Sequence, residues 1–127
     1  MQFNMKKDVG FTTNTEFGEL HIAGDEAYGF RPFQLMVASI AVCSGGVLRK
    51  ILAKKRIEVE DITIDTKVDR NEAEANKIEK IYIHYRIKGD NLKENKIQQS
   101  IELASKNCPM AQSVKGSIEI EETFELI

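Results

Sequence analysis

Apolar and polar positions change period several times along this chain, and each change marks an element. In residues 2–23, Phe3 and Met5 alternate with polar neighbours. Asp8-Val9-Gly10 supplies a turn into residues 11–15, and Glu16-Phe17-Gly18 turns the chain again into residues 19–22. Short alternating runs between turn residues predict three short strands. Residues 33–42 are then apolar almost throughout, and Pro32 ahead of them suits a first helical position, where its missing N–H would have had no partner. Val47, Leu48, Ile51 and Leu52 continue at helical spacing, with Arg49, Lys50, Lys54 and Lys55 on the other side, cations that favour a helix C-terminus. A helix is therefore expected over residues 32–55. A helix apolar almost all round is buried in a core or a subunit interface. Its apolar run, ahead of Gly45-Gly46 and the basic tail, is too short to cross a bilayer. Each of those glycines costs roughly 1 kcal/mol against alanine in a helix interior. Either something approaches the backbone closely there, or the helix bends.

Beyond residue 56 the period drops to two. Ile62, Ile64, Thr66 and Val68 share one face, and Ile81, Ile83, Tyr85 and Ile87 alternate with Tyr82, His84, Arg86 and Lys88. Two strands within residues 57–88 are expected, with the charged residues 69–77 as a solvent loop. Asn91 with Glu94 three residues on resembles a capping box. It would open a helix that buries Ile97, Ile101, Leu103 and Ala104 and ends near Lys106. A residue before proline is pushed out of the α region, so Cys108 is expected extended. Pro109 would then open a short helical turn to residue 114, with Cys108 at its N-cap and Gly116 ending it. Ile118, Ile120, Phe124 and Leu126, against Glu119, Glu121, Thr123 and Glu125, predict a last strand over residues 117–126. Its acidic face suits the basic face of residues 82–88. This order predicts an α+β fold with antiparallel sheets, a long buried central helix and a second helix, and not alternating βαβ units.

Composition narrows the function classes. The 127 residues fit one domain. With 18 basic against 20 acidic residues the formal charge is −2, which gives no electrostatic case for nucleic acid or an anionic membrane. The start MQFNMKKDVGF lacks the apolar stretch of a signal peptide, so a cytoplasmic location is expected. There a cysteine pair is more often redox-active, catalytic or packed than bridged. Two distant cysteines and two histidines make no zinc spacing, so no metal site is expected. Residues 24–29 are glycine-rich but lack the strand–GxGxxG–helix context of a phosphate cradle. His21 and His84 both fall opposite apolar neighbours and read as surface residues.

The chemistry rests on Cys43 and Cys108. The thiolate is the reactive form; helix starts and cations favour it, and apolar burial opposes it. Cys108, at a helix start, has the first environment. Cys43, inside an apolar helix, has the second unless a cation reaches it, Arg31 and Arg49 being nearest in sequence. From the residues alone two readings stay open, a thiol site or two small buried hydrophobes.

A proline-initiated apolar helix with a central cysteine, two strands, a helix and a Cys-Pro before a last strand resembles the OsmC/Ohr family. Pro32-Phe33-Gln34-Leu35, Cys43 and Asn107-Cys108-Pro109 carry the resemblance, which runs from residue 30 to the end; the N-terminal strands agree in outline. It implies an intertwined homodimer with sites at the subunit interface. It also implies a peroxidatic Cys43 and a resolving Cys108, supported by Arg31, Gln34 and Pro109. Phe33, Val37 and Ile40 would line an apolar pocket for a small apolar substrate. The implied activity is reduction of organic hydroperoxides through a sulfenic acid and a disulfide, with an external dithiol as reductant and no bound cofactor. Two departures stand out. Peroxidase members carry a glutamate directly after the helix-starting proline, paired with an arginine from the N-terminal strands. Here Phe33 and Gln34 follow Pro32, and the first arginine is Arg31. Lys6 or Lys7 would lack the planar fork of an arginine. The chain thus resembles the OsmC-like branch without that pair, with peroxidase activity weaker or directed elsewhere. The competing expectation is a non-catalytic dimeric module that binds an apolar or thiol-containing small molecule, its cysteines merely packed. A third is carriage of sulfur or an acyl group on Cys43.

Overall fold

The computed structural model describes residues 1–127. Contacts group the chain into two compact units, Met1–Ala38 and Ser39–Ile127, the division falling inside the central helix. In the first unit, β1 (Asn4–Met5), β2 (Phe11–Asn14) and β3 (Glu19–Ile22) form an antiparallel sheet in that order, as the alternation predicts. Thr13, buried in this sheet, gives its hydroxyl to the Gln2 carbonyl at 2.8 Å. The chain then returns along β3, where Phe30 N–H donates to the His21 carbonyl at 2.9 Å. Phe3, Met5, Phe11, Phe17 and Phe30 remain exposed.

The central helix α1 (Pro32–Lys54) is continuous through both glycines. At 23 residues it is long and apolar enough to cross a bilayer, which corrects the sequence expectation that the glycines cut it short. Its Ile40, Ala41, Ser44, Leu48 and Leu52 are instead buried, while Met36 and Val42 stay exposed. Gly45 explains itself: a Cβ there would stand 2.5 Å from Ile64 Cδ1, so the helix backbone lies against that side chain. Gly46 faces open space.

The second unit holds a sheet of β4 (Asp61–Asn71), β5 (Lys77–Lys88) and β6 (Glu119–Leu126), with β5 central. Ile81, Ile83, Tyr85 and Ile87 of β5 have no exposed surface, in the register the alternation predicts. β4 and β5 form a long hairpin that takes in most of the expected loop. The ladder continues to Asn71↔Lys77, and only a 3₁₀ turn at Glu72–Glu74 and left-handed Ala75 and Asn76 remain outside it. Charged residues do not stop a ladder whose faces are both open to water.

β6 lies parallel to β5, with Tyr85↔Phe124 and Ile83↔Glu122 among the pairs. The α+β class stands, but this sheet is mixed and not wholly antiparallel. The connection through α2 (Glu94–Asn107) and α3 (Pro109–Ser113) carries the chain back to the end where β5 began, as a parallel pair requires. Across β5 and β6, Lys80 meets Glu121 at 3.3 Å and His84 lies 3.6 Å from Glu125, but Arg86 and Lys88 of the expected basic face pair with Asp65 of β4 and with Glu60. Two details of α2 differ from expectation. Asn91 is left-handed (φ 56°), and the N-cap is Lys93 with no side-chain cap, so there is no capping box. Ser100, not Leu103, completes the buried stripe with Ile97, Ile101 and Ala104. The Ser100 hydroxyl is satisfied by the Lys96 carbonyl at 2.7 Å and by Lys55 Nζ at 3.0 Å.

Candidate active site

Cys108 sits where the sequence places it, extended (φ −83°, ψ 111°) at the N-cap of α3. Proline at the next position cannot donate an N–H, so the first free donor of α3 to face the cap is further along. Ala111 N–H donates to the Cys108 sulfur at 3.4 Å. The sulfur also lies 4.0 Å from the Ile40 carbonyl of α1, one turn before Cys43 and Ser44. Cys108 has no exposed surface, whereas Cys43 is only half-buried.

The two thiols act on each other. Burial opposes a Cys108 thiolate, but the Ser44 hydroxyl, the Ala111 N–H, the Cys43 thiol and the Met110 N–H together outweigh it and pull the Cys108 pKa below its ordinary value. For Cys43 the backbone hydrogen bond of Met110 favours the thiolate. Burial, the hydrogen bond to Cys108 and that sulfur's charge push the other way and leave its pKa raised, against a small opposing pull from Lys50. Of the two thiols, Cys108 is therefore the more readily ionised.

Behind Cys108 lies a buried polar group. Ser44 has no exposed surface, and its hydroxyl completes no close hydrogen bond, although it favours the charged forms of both Cys108 and Tyr85. Tyr85 donates its hydroxyl to Glu122 Oε2 at 3.0 Å. Burial and the Glu122 carboxylate push the phenol far up, so it stays protonated. Burial also raises Glu122, against hydrogen bonds from Tyr85 and Ser105, and its Oε1 is buried with no completed hydrogen bond.

The other expected site residues fall in different places. Arg31 contacts Gln34 Oε1 at 3.4 Å and Glu26 at 3.8 Å, and its guanidinium lies 5.0 Å from the Phe33 ring centroid. Lys6 is committed to the Tyr28 carbonyl at 2.7 Å. Val37 and Ile40 are buried and Phe33 is half-buried. A groove of about 600 Å³ is lined by Val47, Lys50, Ile51, Lys54, Leu103 and Asn107, among others. Val47 follows Cys43 by one turn, and Asn107 precedes Cys108. Pro109 starts α3, and His21 and His84 face solvent with Glu19 and with Thr123 and Glu125.

Sequence reasoning missed Ser44, Lys50 and Glu122. Glu122 carried a readable signal, because it occupies the inward register of β6 between Ile120 and Phe124. A carboxylate among core positions is rare unless it has a partner.

The family model described as OsmC-like protein matches residues 23–123. No curated protein sequence matches the chain. Among solved structures it is similar to a hypothetical protein from Aquifex aeolicus VF5, with 30% identity, a TM-score of 0.88, and 99% of this chain and 93% of that one covered. It is also similar to an OsmC-like protein from Mycoplasma pneumoniae, at 19% identity and TM-score 0.87 over 99% and 94% of the two chains. A third is an organic hydroperoxide resistance protein from Elizabethkingia anophelis, at 19% identity and TM-score 0.78 over 98% and 94%.

Proposed function

This chain belongs to the OsmC-like protein family, and from that premise we propose that it is a thiol redox protein which reduces an apolar hydroperoxide through Cys43 and Cys108. The observation that carries the reading is the placement of the two thiols: the buried Cys108 sulfur lies 4.0 Å from the Ile40 carbonyl of α1, one helical turn before the half-buried Cys43. The organic hydroperoxide resistance proteins of the same fold support it.

The Cys108 thiolate takes the Cys43 proton as Cys43 sulfur attacks the outer peroxide oxygen. The O–O bond breaks, Cys43 becomes a sulfenic acid, and the alkoxide leaves and is protonated by water. Cys108 thiol then displaces the sulfenic oxygen as water, forming the disulfide. An external dithiol reduces that disulfide and is itself oxidised. Lys50, and not Arg31 or Arg49, is the cation that favours ionised Cys43. Val47, Ile51 and Leu103 in the groove lining suit an alkyl substituent, and Lys50 and Lys54 in the same lining suit an anionic end.

The same reading includes a homodimer in a reducing, cytoplasmic compartment where free thiols persist. Support for the dimer is the uncovered apolar surface: Phe3, Met5, Phe11 and Phe30 in the first unit, and Val42, 66% exposed beside Cys43, in the second. The test is dithiol-dependent consumption of an organic hydroperoxide by the purified protein. Turnover that Cys43→Ser abolishes is expected. A Cys43→Ser variant as active as wild type, or a wild type inert to every alkyl hydroperoxide, would overturn the reading in favour of a binding module.

A further inference from the structure

A disulfide offers two sulfurs to an attacking thiolate, and the sulfur attacked decides which cysteine leaves first. The two cysteines of this chain differ in both properties that govern the choice, access and the stability of the departing thiolate. Cys108 has no exposed surface. Its sulfur contacts the Ile40 carbonyl of α1 at 4.0 Å and the Ala111 N–H of α3 at 3.4 Å. Ile40 and Ala111 are themselves buried, at 1% and 5% exposure. A thiol that attacked Cys108 would have to enter the packed contact between α1 and α3. Cys43 is only half-buried, and its neighbour Val42 is open to solvent. The buried sulfur also holds the start of α3. Pro109 has no N–H to give, and the Ala111 N–H, in a residue almost without access to water, donates to Cys108. A thiolate is a strong acceptor for such a donor, and the neutral sulfur of a disulfide is a weak one. The N–H is therefore better satisfied when Cys108 is free than when it is bridged.

We propose that the external dithiol attacks the Cys43 sulfur of the oxidised pair, and that Cys108 is the leaving thiolate, received by the Ala111 N–H. The inference deepens the thiol redox reading and rests on its disulfide. One thiolate of the reductant bonds to the Cys43 sulfur; the Cys43–Cys108 bond breaks, and its electron pair stays on Cys108. The reductant's second thiol, as its thiolate, then attacks the reductant's own sulfur in the mixed disulfide. The reductant leaves as a disulfide and Cys43 is released as a thiolate. Two electrons pass from the dithiol to the pair, and the two protons that the dithiol gives up balance the two thiolates formed. A leaving thiol of low pKa speeds the first displacement. The N–H contact provides one at Cys108, in keeping with the lowered pKa of that thiol. On this route a single accessible sulfur meets the peroxide and later the reductant, and α3 stays packed over Cys108 throughout.

The experiment starts from the full-length protein closed with diamide, so that no peroxide is involved. Brief treatment with mercaptoethanol, a monothiol that has no second thiol to finish the reduction, is followed by acid quenching and peptide mapping. The mixed disulfide is expected on Cys43 in most of the opened chains, whereas in denaturant the two sulfurs should be attacked to similar extents. Hydrogen exchange followed by NMR gives a second readout. At neutral pH the Ala111 amide should exchange about tenfold faster in the diamide-closed protein than in the reduced one. Adduct mainly on Cys108, or shared evenly in the folded protein, would overturn the proposal, and so would equal exchange of the Ala111 amide in the two forms. A pair that diamide does not close would overturn it together with the disulfide on which it rests. Adduct on Cys43 in a protein inert to hydroperoxides would uphold it and refute only the peroxide step.

Discussion

The backbone N–H of Ala111 points at the Cys108 sulfur across 3.4 Å, so a cysteine holds the N-cap of α3. Oxygen side chains usually fill this position, and their loss costs about 1 kcal/mol. Cys108→Ser should keep the cap and Cys108→Ala should lose it. In denaturant unfolding of the reduced protein the alanine variant is expected to be less stable than the serine variant by about 1 kcal/mol. Equal stabilities, or the reverse order, would show that the sulfur contributes nothing to the start of the helix.

Lys50 is a cation whose charge favours ionised Cys43, and it is exposed. Lys50→Gln should therefore slow iodoacetamide labelling of Cys43 by only about two-fold at low salt. The difference should vanish at high salt, where exposed charges are screened. A salt-independent loss would mean that Lys50 contacts the reagent or the thiol directly.

Glu122 gives a pH dependence with a definite sign. Burial raises its pKa in the folded state above the unfolded value of 4.5. Its contribution to stability is thus fully present below that value and is lost as pH rises through the folded pKa. Glu122→Gln, which never ionises, should melt at a higher temperature than wild type at neutral pH. The gap should close as the pH is lowered toward 4.5. A gap of constant size across that range would place the effect in packing and not in ionisation.

The exposed apolar side of α1 bears on assembly. Sedimentation is expected to give twice the 14.4 kDa mass of one chain. Val42→Glu, at a position 66% exposed in the single chain, should shift the protein toward the monomer. A dimer unaffected by that charge would place the interface elsewhere.

What the sequence made legible follows from which signals are local. Pro32 and the apolar run set α1 to within a residue of its observed end, and Cys108-Pro109 alone implied the extended N-cap that the structure shows. The direction of β6 was not legible, because an alternation of period two is the same for parallel and antiparallel neighbours. Nor was the absence of a cap at Asn91: residue types at the right spacing say nothing of the left-handed φ that Asn91 adopts. Gly45-Gly46 announced a close approach or a bend, and the structure answers with Ile64 at Gly45 alone. The pairing of the two cysteines rested on resemblance, since they lie 65 residues apart in sequence (108 minus 43) and no local pattern joins them. Glu122 was legible from the alternation but easily passed over. Its neighbours Glu121 and Glu125 make the strand look evenly acidic, although Ile120 and Phe124 on either side put position 122 on the inward face.

The most direct test of the redox pair is peptide mapping after one equivalent of an organic hydroperoxide is added to the fully reduced protein. The expected product is a Cys43–Cys108 disulfide within a single chain, with the intact mass lower by two hydrogens. Two free thiols after treatment, or oxygen added to Cys43 with Cys108 still free, would contradict a peroxidatic Cys43 resolved by Cys108.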